Sequence, residues 1–256
     1  MKDCFHSSFW AMNTRFNLVL PSADFEDSEE IAEEVKNEVL RLEKVFSRFD
    51  SQAELYKFNK SREKDLSSVS GDLSKALKIS AEYSELTEGY FNPSYSSETD
   101  LGGLGKGFAL EEVKKILLDY SLSRAFISFG ESSIYALGTH PHGDCWEIAV
   151  CNPFRENESL GSFKLLNSSL SVSGFSFSKN AGCSYHLVDP NTGRLAKNNM
   201  LVCVLSESCI ESEVLSTAVY ASSAEWLPEK RVFPSAETAV IELNGNGEII
   251  RKHYVE

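Results

Sequence analysis

Residues 100–113 read DLGGLGKGFALEEV, four glycines and a lysine in a turn that runs straight into a helical pattern. The run is not a P-loop. That motif needs a glycine five residues before its Gly-Lys pair and Ser or Thr after the lysine, and those positions hold Asp100 and Gly107. Nor does it match GxGxxG within a βαβ unit. Two readings remain. Gly102, Gly103, Gly105 and Gly107 let the backbone approach a ligand closely, with the N-terminus of the following helix aimed at an anion. Alternatively, the glycines make room for packing.

Upstream of this turn the texture is helical. After Asn13-Thr14, FNLVLP reads as an early strand. In SEEIAEEVKNEVLRLEKVF, Ile31, Val35, Val39, Leu42 and Val45 or Phe46 recur at three- and four-residue spacings. That period predicts an amphipathic helix, with Ser28 as N-cap and Glu29 and Glu30 in its first turn. QAELYKFN reads as a short second helix, SREKDLSSVSG as a loop, and DLSKALKISAEYSELTEG as a third helix from Asp72 to Gly89. ALEEVKKILLDY is the helix that leaves the glycine turn.

After Ser121 the segments become short and β-prone. RAFISFG, SSIYALG, CWEIAVCNP, GSFKLLN, SLSVSG and MLVCVLS read as strands. A helix, CIESEVLSTAVYAS, interrupts them; EWLPEKRVFPSAE is polar or helical. TAVIELNGNGEIIRKHY is a hairpin turning on Asn244 to Gly247. Helices early and strands late favour α+β over regular βαβ alternation. Residues 1–256 are expected to form a single unit, helix-rich to about residue 120 and strand-rich from 121 onward.

Composition bounds the function. Apolar residues make up 42% and charged residues 25%, ordinary for a soluble globular protein. A net charge of −13 argues against a nucleic-acid partner, which needs a basic face. An anionic ligand would need a metal ion or helix N-termini for positive charge. Cysteines stand at 4, 145, 151, 183, 203 and 209 without a CxxC pair, and are read as reduced and mostly buried. MKDCFHSSFWAMNTRF lacks the apolar core of a signal peptide, and no run is long and apolar enough to span a membrane. The sequence as it stands therefore reads as cytoplasmic, or as exported if a signal peptide has been removed.

Two further constellations carry chemistry. Glu213 and Thr217 lie four apart on a predicted helix and share one face. A carboxylate beside a hydroxyl can hold a hard cation such as Mg²⁺; the alternative is an exposed Glu beside a Thr bonded back to its own helix. In HLVDPNTG, residues 186–193, His186 could act as a general base with Asp189 near it, or the segment could be a strand end followed by an Asp-Pro turn.

The order of the blocks adds information that no single motif holds. AMNTRF, FSRFDSQAELYKFN, GYFNPSY, DLGGLGKGFALEEV, VSGFSFS, HLVDPNTG and SEVLSTAVY follow one another as they do in the ApbE family, the FAD:protein FMN transferases. The resemblance runs from about residue 9 to the C-terminus. It implies an α+β fold of two interleaved α/β subdomains with mostly antiparallel or mixed sheets. It also implies FAD as substrate, Mg²⁺ as cofactor, and transfer of FMN to a Thr (or Ser) hydroxyl of an acceptor protein with release of AMP.

By the same resemblance, the metal would be held by the Gly105 carbonyl, Glu213 and Thr217. His186 would be the base, and Asp189 would orient it or hold the turn. Lys106 and Glu111 would meet the nucleotide half of FAD. Met12 and Phe49 would neighbour the flavin. Asp100, Gly102 and Gly103 would line the same pocket, faced by Ser173 and Gly174. The chain departs from the family in having Glu213 where Asp is usual, Phe49 where Tyr is common and Asn13 where Gly is typical. ISFGESS lacks a double glycine, and only Ser96 to Thr99 lie between GYFNPSY and DLGG, where the family usually has a few tens of residues. Two rivals share these features: an FAD pyrophosphatase giving FMN and AMP, and a catalytically degenerate flavin-binding or partner-binding protein.

Overall fold

The computed structural model describes residues 4–21, 25–63, 65–178 and 180–255. Met1 to Asp3, at the head of the stretch read as lacking a signal sequence, lie outside them. The chain opens with a hairpin of β1 (Cys4–Ala11) and β2 (Thr14–Pro21). Its two turn residues, Met12 and Asn13, both take positive φ, 48° and 62°. Such a turn matches the twist of the flanking strands, and Asn adopts it readily. Met12 does not, but its N–H donates to Glu43 Oε1 at 2.7 Å, which holds the turn against helix α1 (Phe25–Phe46).

Helices α2 (Glu54–Lys60), α3 (Gly71–Leu86) and α4 (Gly105–Asp119) follow. Then come strands β3 (Ala125–Phe129), β4 (Ser133–Leu137), β5 (Trp146–Cys151), β6 (Ser159–Leu165) and β7 (Ser168–Ser173). Short ribbons β8 (Ser176–Ser178), β9 (Gly182–Ser184), β10 (Val188–Asp189) and β11 (Arg194–Leu195) lead to β12 (Met200–Ser206), α5 (Cys209–Ala221), β13 (Glu237–Leu243) and β14 (Ile249–Val255).

The α+β expectation holds. Its interleaving takes the form of one shared eight-stranded sheet in the order β1-β2-β3-β4-β7-β12-β13-β14, with neighbouring strands antiparallel. The middle strands are buried on both faces. Tyr135 and Leu137 of β4 and Val202 and Val204 of β12 join a core shared with α1, α4 and α5. Ile134, Ala136, Leu201 and Cys203, pointing the other way, join a second core closed by the β5–β6 hairpin through Trp146, Val150, Leu160 and Leu165. The period-2 alternation of a strand thus feeds two layers at once.

Local expectations need four corrections. Helix α1 begins at Phe25, so Ser28 is a buried interior residue rather than the N-cap. Helix α3 is capped by Ser70, whose Oγ accepts from Leu73 N–H at 3.3 Å; Asp72 sits in the first turn and pairs with Arg41 at 2.7 Å. The strand β1 falls in a segment for which only β2 was read. Of the six cysteines, all free, only Cys203 and Cys209 are buried, because Cys4 and Cys151 stand on outward-facing strand positions.

The glycine run serves packing as well as any ligand. A Cβ on Gly107 would sit 2.5 Å from the Cys209 carbonyl oxygen and 2.8 Å from Glu213 Cβ. One on Gly103 would sit 3.3 Å from Thr217 Oγ1. Helix α4 therefore presses its first turn directly onto α5. Gly107→Ala should raise helix propensity yet destabilise the fold by about 1–3 kcal/mol, because no flexible side-chain end is there to yield. Urea melts check this; an unchanged midpoint would mean that α4 and α5 can part at no cost.

Candidate active site

Helix α5 starts cleanly because Ser208 caps it, its Oγ accepting from Glu211 N–H at 3.2 Å. One turn later it delivers Glu213, only 4% exposed, between the sheet and the first turn of α4. A carboxylate this buried must be compensated. Oε2 accepts from Ser133 Oγ at 2.5 Å and from Ser171 Oγ at 3.0 Å, while Oε1 pairs with the Lys106 ammonium. Ser171 continues to Ser216 at 2.9 Å, and Ser216 to Ser173 at 2.9 Å. A line of hydroxyls thus joins the carboxylate to a residue on the wall of a cavity.

That cavity measures about 830 Å³ and lies between the glycine run, the ends of β4 and β7, and the β5–β6 hairpin. Asp100, Gly102, Gly103, Lys106, Ser173, Gly174, His186, Glu213 and Thr217 all line it. A second cavity, about 400 Å³, is lined by Met12, Arg48, Phe49 and Gly105, and shares Asp100, Gly102 and Lys106 with the first. A third, about 100 Å³, opens from the large one at Asp100, Gly103, His186 and Thr217. Phe49 is 73% exposed, and the Arg48 guanidinium lies 4.6 Å from its ring centre. Arg48 also pairs with Asp100 at 3.2 Å, so the aromatic and the glycine turn are tied through one side chain.

His186 stands at the meeting of the large and small cavities. Burial of its ring holds its pKa below the ordinary histidine value, and the nearby Lys106 charge lowers it further. The imidazole is therefore neutral at neutral pH and free to accept a proton.

Most of the expected residues come together; two do not. Asp189 spends its carboxylate on its own turn: Oδ1 accepts from Asn191 N–H at 2.9 Å and Oδ2 from Thr192 Oγ at 2.7 Å. Of the two roles expected for it, this geometry supports holding the turn. Glu111 lines none of these three cavities; its Oε2 accepts from Cys209 N–H at 3.0 Å and so helps cap α5. Ser133, Ser171 and Arg48 escaped the sequence reading. For Ser171 a signal existed: in SSLSVS serines recur at 169, 171 and 173, a polar face on a strand that should be buried.

Among the described residues no three His, Cys, Asp or Glu side chains gather as a metal cluster. The expected Mg²⁺ donors are of another kind: one carboxylate, the Thr217 hydroxyl and the Gly105 carbonyl. Thr217 Oγ donates to the Glu213 carbonyl at 3.0 Å, which leaves its lone pairs available. Oε1 of Glu213 already meets one cation, the Lys106 ammonium. The position accepts positive charge and its donors are hard oxygens, so the residues fit Mg²⁺ in chemistry.

A family model described as the ApbE family matches residues 12–98 and 96–230. The chain belongs to the ApbE family. Among curated proteins it is similar to an FAD:protein FMN transferase of Klebsiella pneumoniae, 25% identical over 146 residues, covering 55% of this chain and 44% of that one. A protein of the same name from Escherichia coli K12 is 24% identical over 125 residues, 47% of this chain and 35% of the relative. These matches span under half the length of the curated relatives. The fold match is far wider. An ApbE protein of Thermotoga maritima superposes with a TM-score of 0.81 at 20% identity over 97% of both chains. The flavin transferase ApbE of Vibrio cholerae gives 0.82 at 18% identity, over 99% of this chain and 97% of that one. In this chain the Glu213 side chain reaches Ser133 and Ser171 with Oε2.

Proposed function

We propose that this ApbE chain transfers the FMN half of FAD to a Thr (or Ser) hydroxyl of an acceptor protein and releases AMP. One observation carries the reading. Asp100, Gly102 and Lys106 form the common wall of two cavities, so a two-part ligand can lie across them with its linking pyrophosphate at Lys106. The flavin goes beside Met12 and Phe49, and the adenosine half into the large cavity.

Phosphoryl transfer asks the protein mainly for positioning and countercharge. The Lys106 ammonium and the positive end of α4 face the pyrophosphate, while the Gly102 and Gly105 N–H groups are given to Asp100 Oδ1 and the Leu101 carbonyl and shape the turn. Glu213 keeps Lys106 in place, and Ser133 and Ser171 keep Glu213 in place. Neutral His186 takes the proton of the attacking hydroxyl. Mg²⁺, bound by Glu213, Thr217 and the Gly105 carbonyl, would supply further positive charge to the phosphoryl oxygens. The six free cysteines suit a reducing compartment such as the cytoplasm, and among the described residues no helix is long and apolar enough to cross a membrane.

The protein incubated with FAD, Mg²⁺ and a Thr-bearing acceptor protein should yield AMP and a fluorescent, flavin-bearing acceptor. AMP with free FMN and no labelled acceptor would make it a pyrophosphatase instead. FAD binding with no AMP at all would leave a flavin-binding protein and overturn the transferase reading.

A further inference from the structure

We infer that Ser173 meets the ligand as a hydrogen-bond acceptor, its own proton being held by Ser216, and that it reads a ribose hydroxyl on the adenosine half of FAD. This rests on the reading above, which places that half in the large cavity, and it fixes the polarity of one contact there.

The polarity follows from a count of protons. Ser133 spends its own on Glu213 Oε2 at 2.5 Å. Ser171, Ser216 and Ser173 then share four contacts. Ser171 meets Glu213 Oε2 at 3.0 Å and Ser216 Oγ at 2.9 Å; Ser216 meets Ser173 Oγ at 2.9 Å and the Glu213 carbonyl at 3.0 Å. The three hydroxyls own three protons, while the carboxylate, paired with the Lys106 ammonium, and the backbone carbonyl own none. Three of the four contacts can be filled only if all three protons stay inside the cluster, that of Ser173 included. Turning the Ser173 proton into the cavity leaves at least two contacts as bare oxygen facing oxygen. Ser171 is 2% exposed and Ser216 fully buried, so bulk solvent does not reach the gap. Leaving buried polar oxygens unpaired costs more than one bond to a ligand returns. The charge-assisted bond is the strongest of the set, so Ser171 donates to Glu213. Ser173 donates to Ser216 whichever acceptor Ser216 itself chooses.

Ser173 Oγ therefore keeps only lone pairs for the cavity that it lines. The pyrophosphate oxygens have no proton to offer it. The ribose hydroxyls do, and so does the adenine amine. Position favours the ribose. Only two hydroxyls, those of Ser171 and Ser216, separate Ser173 from the carboxylate that holds Lys106, so Ser173 stands on the phosphate side of the cavity. Ser216 lines none of the three cavities and acts through Ser173 as a positioning residue.

The probes are FAD, its analogues lacking the 2′- or the 3′-hydroxyl of the adenosine ribose, and the matching fluoro analogues. Fluorine in place of a hydroxyl can accept weakly and cannot donate. Affinity is read from flavin fluorescence with Mg²⁺ present, so no turnover is needed. Wild-type protein should bind one deoxy analogue about fivefold more weakly than FAD, the scale of one neutral hydrogen bond, and its fluoro counterpart no better. Ser173→Ala should bind FAD and that deoxy analogue within about twofold of each other, since the bond is gone for both. Ser216→Ala frees the Ser173 proton for the cavity. The fluoro analogue should then gain about threefold over the deoxy one, a change of preference that loosened packing alone would not produce. Wild-type binding of the fluoro analogue as tight as that of FAD would make Ser173 a donor and overturn the inference. So would two deoxy analogues that bind like FAD, a discrimination that survives Ser173→Ala, or an unmoved fluoro preference in folded Ser216→Ala. If Ser216→Ala does not fold, the Ser173→Ala comparison decides alone. FAD binding without AMP or FMN transfer overturns the transferase reading and leaves the Ser173 contact standing; no FAD binding overturns both.

Discussion

His186→Ala is expected to lower FMN transfer by about 10²–10⁴-fold while FAD still binds. The side chain lines both the large cavity and the small one that opens from it. The loss should therefore appear in kcat rather than in FAD affinity. The pH profile gives a second readout. Burial and the Lys106 charge lower the pKa of His186, so the working, neutral form persists below the pH at which an ordinary histidine would protonate. Activity should fall only as pH drops through that lowered value, and the acid limb should vanish in His186→Ala. An acid limb that survives the substitution would assign it to another group and remove His186 from the role of base.

Glu213→Gln should reduce transfer at least about 100-fold, the scale on which a preorganised charge is felt in a water-poor site. The neutral amide is nearly the same size and can still accept from Ser133 and Ser171, so the fold should survive. What goes is the countercharge. Lys106 loses the partner that fixes its ammonium, and the only carboxylate among the expected Mg²⁺ donors disappears. A thermal-shift titration separates this from misfolding: Mg²⁺ should raise the melting temperature of the parent protein and leave Glu213→Gln unmoved. Glu213→Asp is also expected to lose activity, because a shorter arm gives up the Ser133 and Ser171 bonds. If Glu213→Asp were faster than the parent, the longer arm would be a handicap rather than an adaptation.

How far these features could be read beforehand depended on whether they are local. The spacing of Ile31, Val35, Val39 and Leu42 marked α1, and Asn244 to Gly247 marked the last hairpin, because helix faces and tight turns are written within a few residues. Glu213 and Thr217 showed themselves by sharing a helix face. Ser133 was invisible: only the pairing of β4 with β7, beneath α5, turns a strand serine into a carboxylate's partner. Asp189 looked equally able to serve His186 or its own turn, and the choice turned on where Asn191 and Thr192 point. Of the two readings of the glycine run, packing is the one seen at Gly107, which is pressed against α5; Gly102 lines the cavity where a ligand would approach.

The single sheet also sets a timetable for synthesis. Phe16 on β2 pairs with Phe129 on β3, so the first hairpin leaves the ribosome with its inner neighbour in the sheet still unmade and all four early helices in between. Such distant pairing is slow to close. Lys106 is translated long before Glu213, and the two meet only when α5 has docked against β7 and β12. A nascent or truncated chain that stops short of α5 holds the glycine turn but no counterion for its lysine. The capacity for chemistry arrives late and all at once, with the last third of the chain.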